Sequence, residues 1–398
     1  MTYTEEKFVE ILHNYINRNS KVELQQEKID EERMKELFAI HRLYGIGYSY
    51  LKQYKFQSNI VSELETGFFS EVTKYQRRKY VLDTFLELLT KHEIIHVCFK
   101  GSYLGEIYPV KELRTMSDVD ILIKKEDREK VREILLSNGA TANDKESDAT
   151  VDVYLFYGIN LEIHNNLVSG GAWMNGVDFN GYYSNVINKC TQIEGCTYKI
   201  ADSDHLIYLV YHAAKHFYES GIGVRMLMDF PVLVRYSDEL DWSYIWDELE
   251  KIKLSNFAVK IFEISEKFFG EFGIEYRKKE DFAQIEQMSQ FIIDGGVYGL
   301  HNRSNDARRL RNMSATKDGN QNMIVGTFKM LFPSNEQMRR YSEWYKDKPS
   351  ILLPVAYVER IVRNIKERGG FMKVAKEAPS VYIATSDKDD VLKIMNLQ

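Results

Sequence analysis

The sequence predicts an α+β protein in which a small mixed sheet is carried between an N-terminal and a C-terminal helical region. Three observations lead there. Residues 3–93 place apolar side chains at three- and four-residue steps, residues 94–200 hold short β-branched and alternating runs, and residues 203–398 return to helical periodicity. The expected domains are therefore 1–93, 94–200 and 201–398.

The N-terminal region is read from "EEKFVEILHNYI", "EERMKELFAIHRLYGIGYSYLKQY" and "KYVLDTFLELLTKH", all with one apolar stripe. "IIHVCF" is a short apolar run of strand type, and "SDVDILI" alternates polar and apolar positions before turning fully apolar. Helical patterns separate and follow these strands: "YLGEIY", then "KEDREKVREILLSNG", which closes on Asn138 and Gly139 as a cap. In "VDVYLFYGINLEIHNNL" two alternating runs meet at Gly158, the pattern of a hairpin, so the sheet should be mixed. A glycine-rich loop, "SGGAWMNG", and a short hairpin near "CTQIEGCTYKI" lead into the second helical region, whose longest expected loop is "HNRSNDARRLRNMSATKDGNQN".

The chain has 398 residues, more than one hydrophobic core normally serves, with 44% apolar and 28% charged residues. A net charge of −6, with only short basic clusters such as "QRRKY" and "RRLR", disfavours a nucleic-acid partner. Cys98, Cys190 and Cys196 have no metal-type spacing and fit a reducing, cytoplasmic setting. No secretion signal is expected from "MTYTEEKFVEILHNYINR", and the longest uncharged stretches are too short to span a membrane.

The chemistry concentrates in "FKGSYLGEIYPVKELRTMSDVDILI". Alternate side chains of an extended strand share a face, so Asp118 and Asp120 point together while Val119, Ile121 and Ile123 point into the core. Two neighbouring carboxylates repel, and a divalent cation removes that cost; hard oxygen ligands suit Mg2+ or Mn2+. In "GINLEIH" the same arithmetic places Asn160, Glu162 and His164 on one face, so Glu162 would complete a carboxylate trio if its strand lies beside that of Asp118. Lys100, Gly101 and Ser102 form a turn that opens a helix, where backbone amides favour phosphate, and Arg114 can reach a phosphate or pin its loop. In "SDHLIYLVYHAAKHFYE", His205, Tyr208, His212, Lys215, His216 and Glu219 are expected opposite the apolar stripe; Lys215 would neutralise phosphate, and His212 or His216 would contact nucleotide or acceptor. Arg225 and Asp229 would form a buried pair or extend that wall.

The glycine-serine turn, the aspartate pair on a strand and a carboxylate on a later strand resemble the nucleotidyltransferase fold of the DNA polymerase beta superfamily. More narrowly, "FKGSYLGEIYP", "LRTMSDVDILI", "LEIHNNL", "YHAAKH" and "VRMLMDF", in that order, resemble a bacterial family of uncharacterised nucleotidyltransferases, with weaker echoes in "MLFPS" and "LLPVAYVERI". The resemblance implies that Asp118 and Asp120 bind magnesium, that Glu162 completes the metal site and that Gly101 with Ser102 holds a nucleoside triphosphate.

The expected activity is metal-dependent transfer of a nucleoside monophosphate from a nucleoside triphosphate to a small-molecule or protein acceptor, with release of pyrophosphate. The alternative is a catalytically silent nucleotide-binding or scaffolding protein of the same fold. Plainer readings stand beside these. A lone "DVD" is usually a solvated strand end, His164 a hydrogen-bonded structural residue, and His212 with His216 a polar helix surface, since "AAK" between them lacks the glutamate of zinc-binding helices.

Overall fold

The computed structural model describes residues 1–397 apart from residues 20, 117, 144–146, 148, 169–172, 175, 220, 238–239, 280–281, 298, 300–334, 336–337, 339–343, 346–347 and 360–389. The loop expected at 301–322 and the "MLFPS" segment lie outside the described residues, as does most of the glycine-rich loop at 169–176. The chain forms two compact units, Met1–Phe217 with Gly221–His301, and Tyr218–Ser220 with Asn302–Gln398. Among the described residues no helix is long and apolar enough to cross a membrane.

The first unit begins with α1 (Tyr3–Ile16), α2 (Glu31–His41), α3 (Tyr44–Leu51) and the 32-residue α4 (Ile60–Lys91). Local chemistry sets their starts. Thr2 and Glu5 form a reciprocal capping box at α1, and the Asp30 carboxylate accepts the Arg33 amide at α2, satisfying amides that lack intrahelical partners. Then come β1 (His96–Cys98), α5 (Gly101–Ile107), β2 (Asp118–Ile123), α6 (Arg128–Ser137), β3 (Thr141–Ala142), β4 (Val151–Phe156) and β5 (Ile159–His164). A two-stranded ribbon of β6 (Trp173–Met174) and β7 (Val177–Asp178) precedes α7 (Phe179–Tyr183), β8 (Thr191–Glu194) and β9 (Thr197–Lys199). The unit closes with α8 (Asp202–Glu219), α9 (Val224–Tyr236), α10 (Trp242–Lys251), α11 (Ser255–Phe269) and α12 (Ile285–Gly295).

The sheet is mixed and seven-stranded, in the order β3-β4-β5-β2-β1-β9-β8. The β4–β5 hairpin turns on Tyr157 and Gly158, both at positive φ (46° and 75°), the backbone that a two-residue hairpin requires. Its return strand β5 lies parallel to β2, with Asp118 beside Asn160 and Asp120 beside Glu162. That adjacency brings the acids of the two strands together.

One face of the sheet is apolar. Val119, Ile121 and Ile123 of β2 join Leu161 and Ile163 of β5 in a core completed by Val81, Phe85 and Leu89 of α4 and Val131, Ile134 and Leu135 of α6. At about 1.5–3 kcal/mol per fully buried side chain, this cluster anchors the two central strands. The opposite face is met by α8, where Tyr208 packs edge-on to Phe99 and its hydroxyl donates to the Leu167 carbonyl at 3.4 Å.

The flanking helices join each other within this unit. Asn17 of the α1 cap donates to the Phe269 carbonyl at 3.1 Å, His41 bonds the Ile293 carbonyl at 2.8 Å, and Arg33 bridges Glu5 and Asp294. Residues 1–41 are thus tied to the end of α11 and to α12. In the second unit Met338, Tyr345 and Ala356 form a small core with Leu352, Leu353 and Tyr357.

Candidate active site

Strand alternation aims Asp120 out of the apolar core, but not into water. Asp120 is 4% exposed, and its Oδ1 receives the Lys100 ammonium at 2.6 Å and His164 Nε2 at 3.0 Å. Burial alone would raise its pKa; the Lys100 charge and the His164 bond outweigh that and hold the carboxyl well below the usual range. His164 Nε2 thus faces the carboxylate, while its Nδ1 is buried without a hydrogen-bond partner among the described residues. His164 Nε2 also lies 3.4 Å from Glu162 Oε2.

Lys100 reaches Asp120 from an unusual backbone. It precedes α5 at φ 49° and ψ −129°, a conformation that costs a non-glycine residue on the order of 1–3 kcal/mol. Its ammonium is buried, and although burial opposes the charge, Asp120 and other neighbours raise its pKa. Gly101 follows because space is short: a Cβ there would come within 2.8 Å of Arg114 Nη1. Ser102 turns its hydroxyl toward β2, where Oγ accepts the Asp120 backbone N–H at 3.0 Å.

Arg114 is clamped. Its Nε and Nη2 donate to Oδ1 and Oδ2 of Asp229 at 3.2 and 3.0 Å, and the Tyr108 hydroxyl donates to the same carboxylate. The partner of Asp229 is therefore Arg114, whereas Arg225 donates to Thr115 Oγ1 at 2.6 Å.

A cavity of about 320 Å³ gathers most of the residues singled out in the sequence: Lys100, Gly101, Arg114, Asp118, Asp120, Glu162, His212, Lys215 and His216 all line it. Ser102 is not among its lining residues. The expected polar stripe of α8 is more buried than its residue types suggest, because the helix is enclosed on both sides: His205 and Tyr208 are each 1% exposed. His212 stacks on Tyr208 and meets His216 edge-on, and burial holds its pKa well below 6.5, so its imidazole is neutral. A second cavity of about 340 Å³ shares Lys100, Glu162, His212 and Lys215 with the first and is otherwise walled by Tyr208, Tyr211, Leu167, Val168, Val151 and Val153, with His164.

Among the described residues, the group with ligand atoms close enough to hold one metal ion is Asp120, Glu162 and His164, all within 4.8 Å of one another. Two carboxylates and an imidazole fit a divalent cation. Asp118, expected in that group, lies two residues before Asp120 on the same strand and lines the cavity beside it. His164 was legible only as the next in-phase position of β5; Tyr108, which completes the Arg114–Asp229 clamp, had no sequence signal.

A parallel strand pair carrying acids over a cation-lined cavity, backed by helices on a mixed sheet, defines a nucleotidyltransferase-type core. Residues 27–270 match the family described as "Uncharacterised nucleotidyltransferase". The chain belongs to that family. No curated protein and no solved structure matches it.

Proposed function

We propose that the protein is a divalent-cation-dependent nucleotidyltransferase that moves a nucleoside monophosphate from a nucleoside triphosphate to a hydroxyl of a small-molecule or protein acceptor. The observation that carries this reading is the in-register pairing of β2 with β5, which sets Asp120, in the first cavity, beside Glu162, which lines both. Two cavities meeting at a shared glutamate, Glu162, suit a two-substrate reaction: the nucleotide lies along the first cavity, and the acceptor enters through the second, walled by Tyr208 and Tyr211.

Asp118, Asp120 and Glu162, with His164 at the same point, are the residues to hold Mg2+ or Mn2+. Such a cation supplies charge to the phosphoryl oxygens and lowers the cost of the attacking oxygen. Lys100 and Lys215 line both cavities and offset charge on the transferring phosphate, while Arg114, fixed by Asp229, presents a rigid cationic wall behind Gly101. The acceptor oxygen bonds to the α-phosphorus, its proton passes to water, and the bond to the β-phosphate oxygen breaks so that pyrophosphate leaves. The Gly101 amide and the Ser102 hydroxyl at the start of α5 are the groups assigned to the triphosphate, and His212 or His216 the contacts to nucleotide or acceptor.

One observation favours a second reading. Asp120 is already neutralised by Lys100 at 2.6 Å, and a site closed by its own lysine is compatible with a silent nucleotide-binding or scaffolding module. The deciding experiment incubates the protein with each labelled nucleoside triphosphate, Mg2+ and candidate small-molecule and protein acceptors, beside the double variant Asp118→Asn, Asp120→Asn. Pyrophosphate release by the wild type alone supports transfer; nucleotide binding without release from either protein, whatever the acceptor, supports the silent module.

A further inference from the structure

A third cavity, of about 120 Å³, adjoins the first through Thr115, Met116 and Arg225 and belongs to none of the roles above. Its charged lining comes from Arg42, Lys74, Arg78 and Arg225, with Glu71 as the acid among them. Arg78 is 7% exposed, its Nε is buried without a hydrogen-bond partner among the described residues, and the acids that favour its charge are Asp118 and Glu71. Buried arginines are ordinarily held by a carboxylate, because an uncompensated charge is costly to desolvate. The neighbouring Glu71 turns one oxygen away: its Oε2 accepts the Gly45 amide at 2.9 Å, its Oε1 is buried without a hydrogen-bond partner among the described residues, and burial raises its pKa to about 7. Arg225 is steered by Thr115, which in turn donates to the Arg42 carbonyl at 3.2 Å, so a single threonine ties the shared wall of both cavities.

Cations thus outnumber the acid around a space too small for a drug-sized ligand. We infer that this cavity is an oxyanion subsite that takes a phosphate group of a substrate whose reacting end lies in the first cavity, with Arg78 as its buried donor. Guanidinium groups favour phosphate because two N–H bonds match two oxygens. This rests on the reading of the first cavity as the nucleotide site. The phosphate has two possible sources, the terminal phosphates of the nucleoside triphosphate or a phosphate carried by the acceptor.

Calorimetric titration of the full chain in EDTA, with inorganic phosphate and with pyrophosphate, tests the subsite without cation or catalysis, so its failure is distinct from failure of transfer. The wild type is expected to bind both anions, Arg78→Met to weaken them about tenfold or more, and Glu71→Gln to tighten them several-fold by removing the competing acid. No binding to the wild type, or equal binding by all three proteins, overturns the proposal. If Arg78→Met does not fold, Arg78→Lys and Glu71→Gln carry the test, with unchanged affinity in both again overturning it. With the subsite present, ATP weakened by Arg78→Met while AMP is not assigns it to the nucleotide's terminal phosphates; both nucleotides unchanged while inorganic phosphate weakens assigns it to the acceptor.

Discussion

Asp120 and Glu71 are carboxylates buried to nearly the same degree, 4% and 6% exposed, in adjoining cavities that share Thr115 and Met116. Their charges go opposite ways. Asp120 faces Lys100 and His164 and is held ionised far into acid; Glu71 is offered backbone amides and distant cations, too little to offset burial, and its pKa rises to about 7. Depth of burial therefore does not set the charge of an acid in this molecule; the cation it touches does. The comparison separates a carboxylate paired with a lysine from one that lines a cavity with arginines and touches backbone amides instead.

The largest effect is expected from removing the first acid's charge. Asp120→Asn should lower pyrophosphate release by about 10³-fold or more, since the charge stabilisation lost is several kcal/mol. An assay with saturating Mg2+ and nucleotide reads it, and near-wild-type turnover would break the comparison at its catalytic end. Next is the pair that fixes Arg114. Asp229→Ala leaves a buried guanidinium and the Tyr108 hydroxyl without their acceptor, and should cost about 3–5 kcal/mol in chemical unfolding.

The second acid should respond with the opposite sign. The folded-state pKa of Glu71 lies above its unfolded value of 4.5, so its penalty is absent below about 4.5, grows as the pH rises toward about 7 and is complete above that. Glu71→Gln should therefore stabilise the protein at pH 8 by about 3 kcal/mol and leave it unchanged at pH 4, as read by urea denaturation at the two pH values. Asp120 behaves conversely: its folded-state pKa is lowered, so its contribution is present above about pH 4 and is lost as the pH falls through the folded value. Stabilisation of Glu71→Gln at both pH values would show that packing, not charge, governs the second cavity.

Period-two alternation told in advance which strand side chains line the first cavity. It fixed which side chains of "SDVDILI" and "LEIH" leave the core, and the glycine at 158 marked the hairpin that brings β5 back. What alternation cannot carry is the partner across the gap. That Lys100 folds back onto Asp120 depends on a positive φ that no lysine advertises, and that Asp229 pairs with Arg114 rather than Arg225 depends on how α9 docks against α5. The α8 stripe was misleading for a related reason: its residue types are those of a wet surface, while the burial of Tyr208 and His205 comes from elements remote in sequence. Arg78 was hidden inside an ordinary helical run, "QRRKY", whose other members are exposed or half-buried.

The smallest expected effect sharpens the first half of the comparison. Ser102 holds the Asp120 amide, not its carboxylate, so Ser102→Ala leaves a buried N–H unsatisfied and should cost about 1–3 kcal/mol without altering the charge of the site. Since the hydroxyl accepts from Asp120, its own proton remains available to a phosphate oxygen, and the substitution then has a second, separable consequence. If Ser102 only tethers β2 to α5, stability falls while KM for nucleotide stays constant. If it also holds the triphosphate, KM rises with kcat little changed, because a hydrogen bond made equally to bound substrate and transition state is uniform binding. Thermal melts and steady-state kinetics on the same variant distinguish a strut beside the acid from a ligand for the nucleotide.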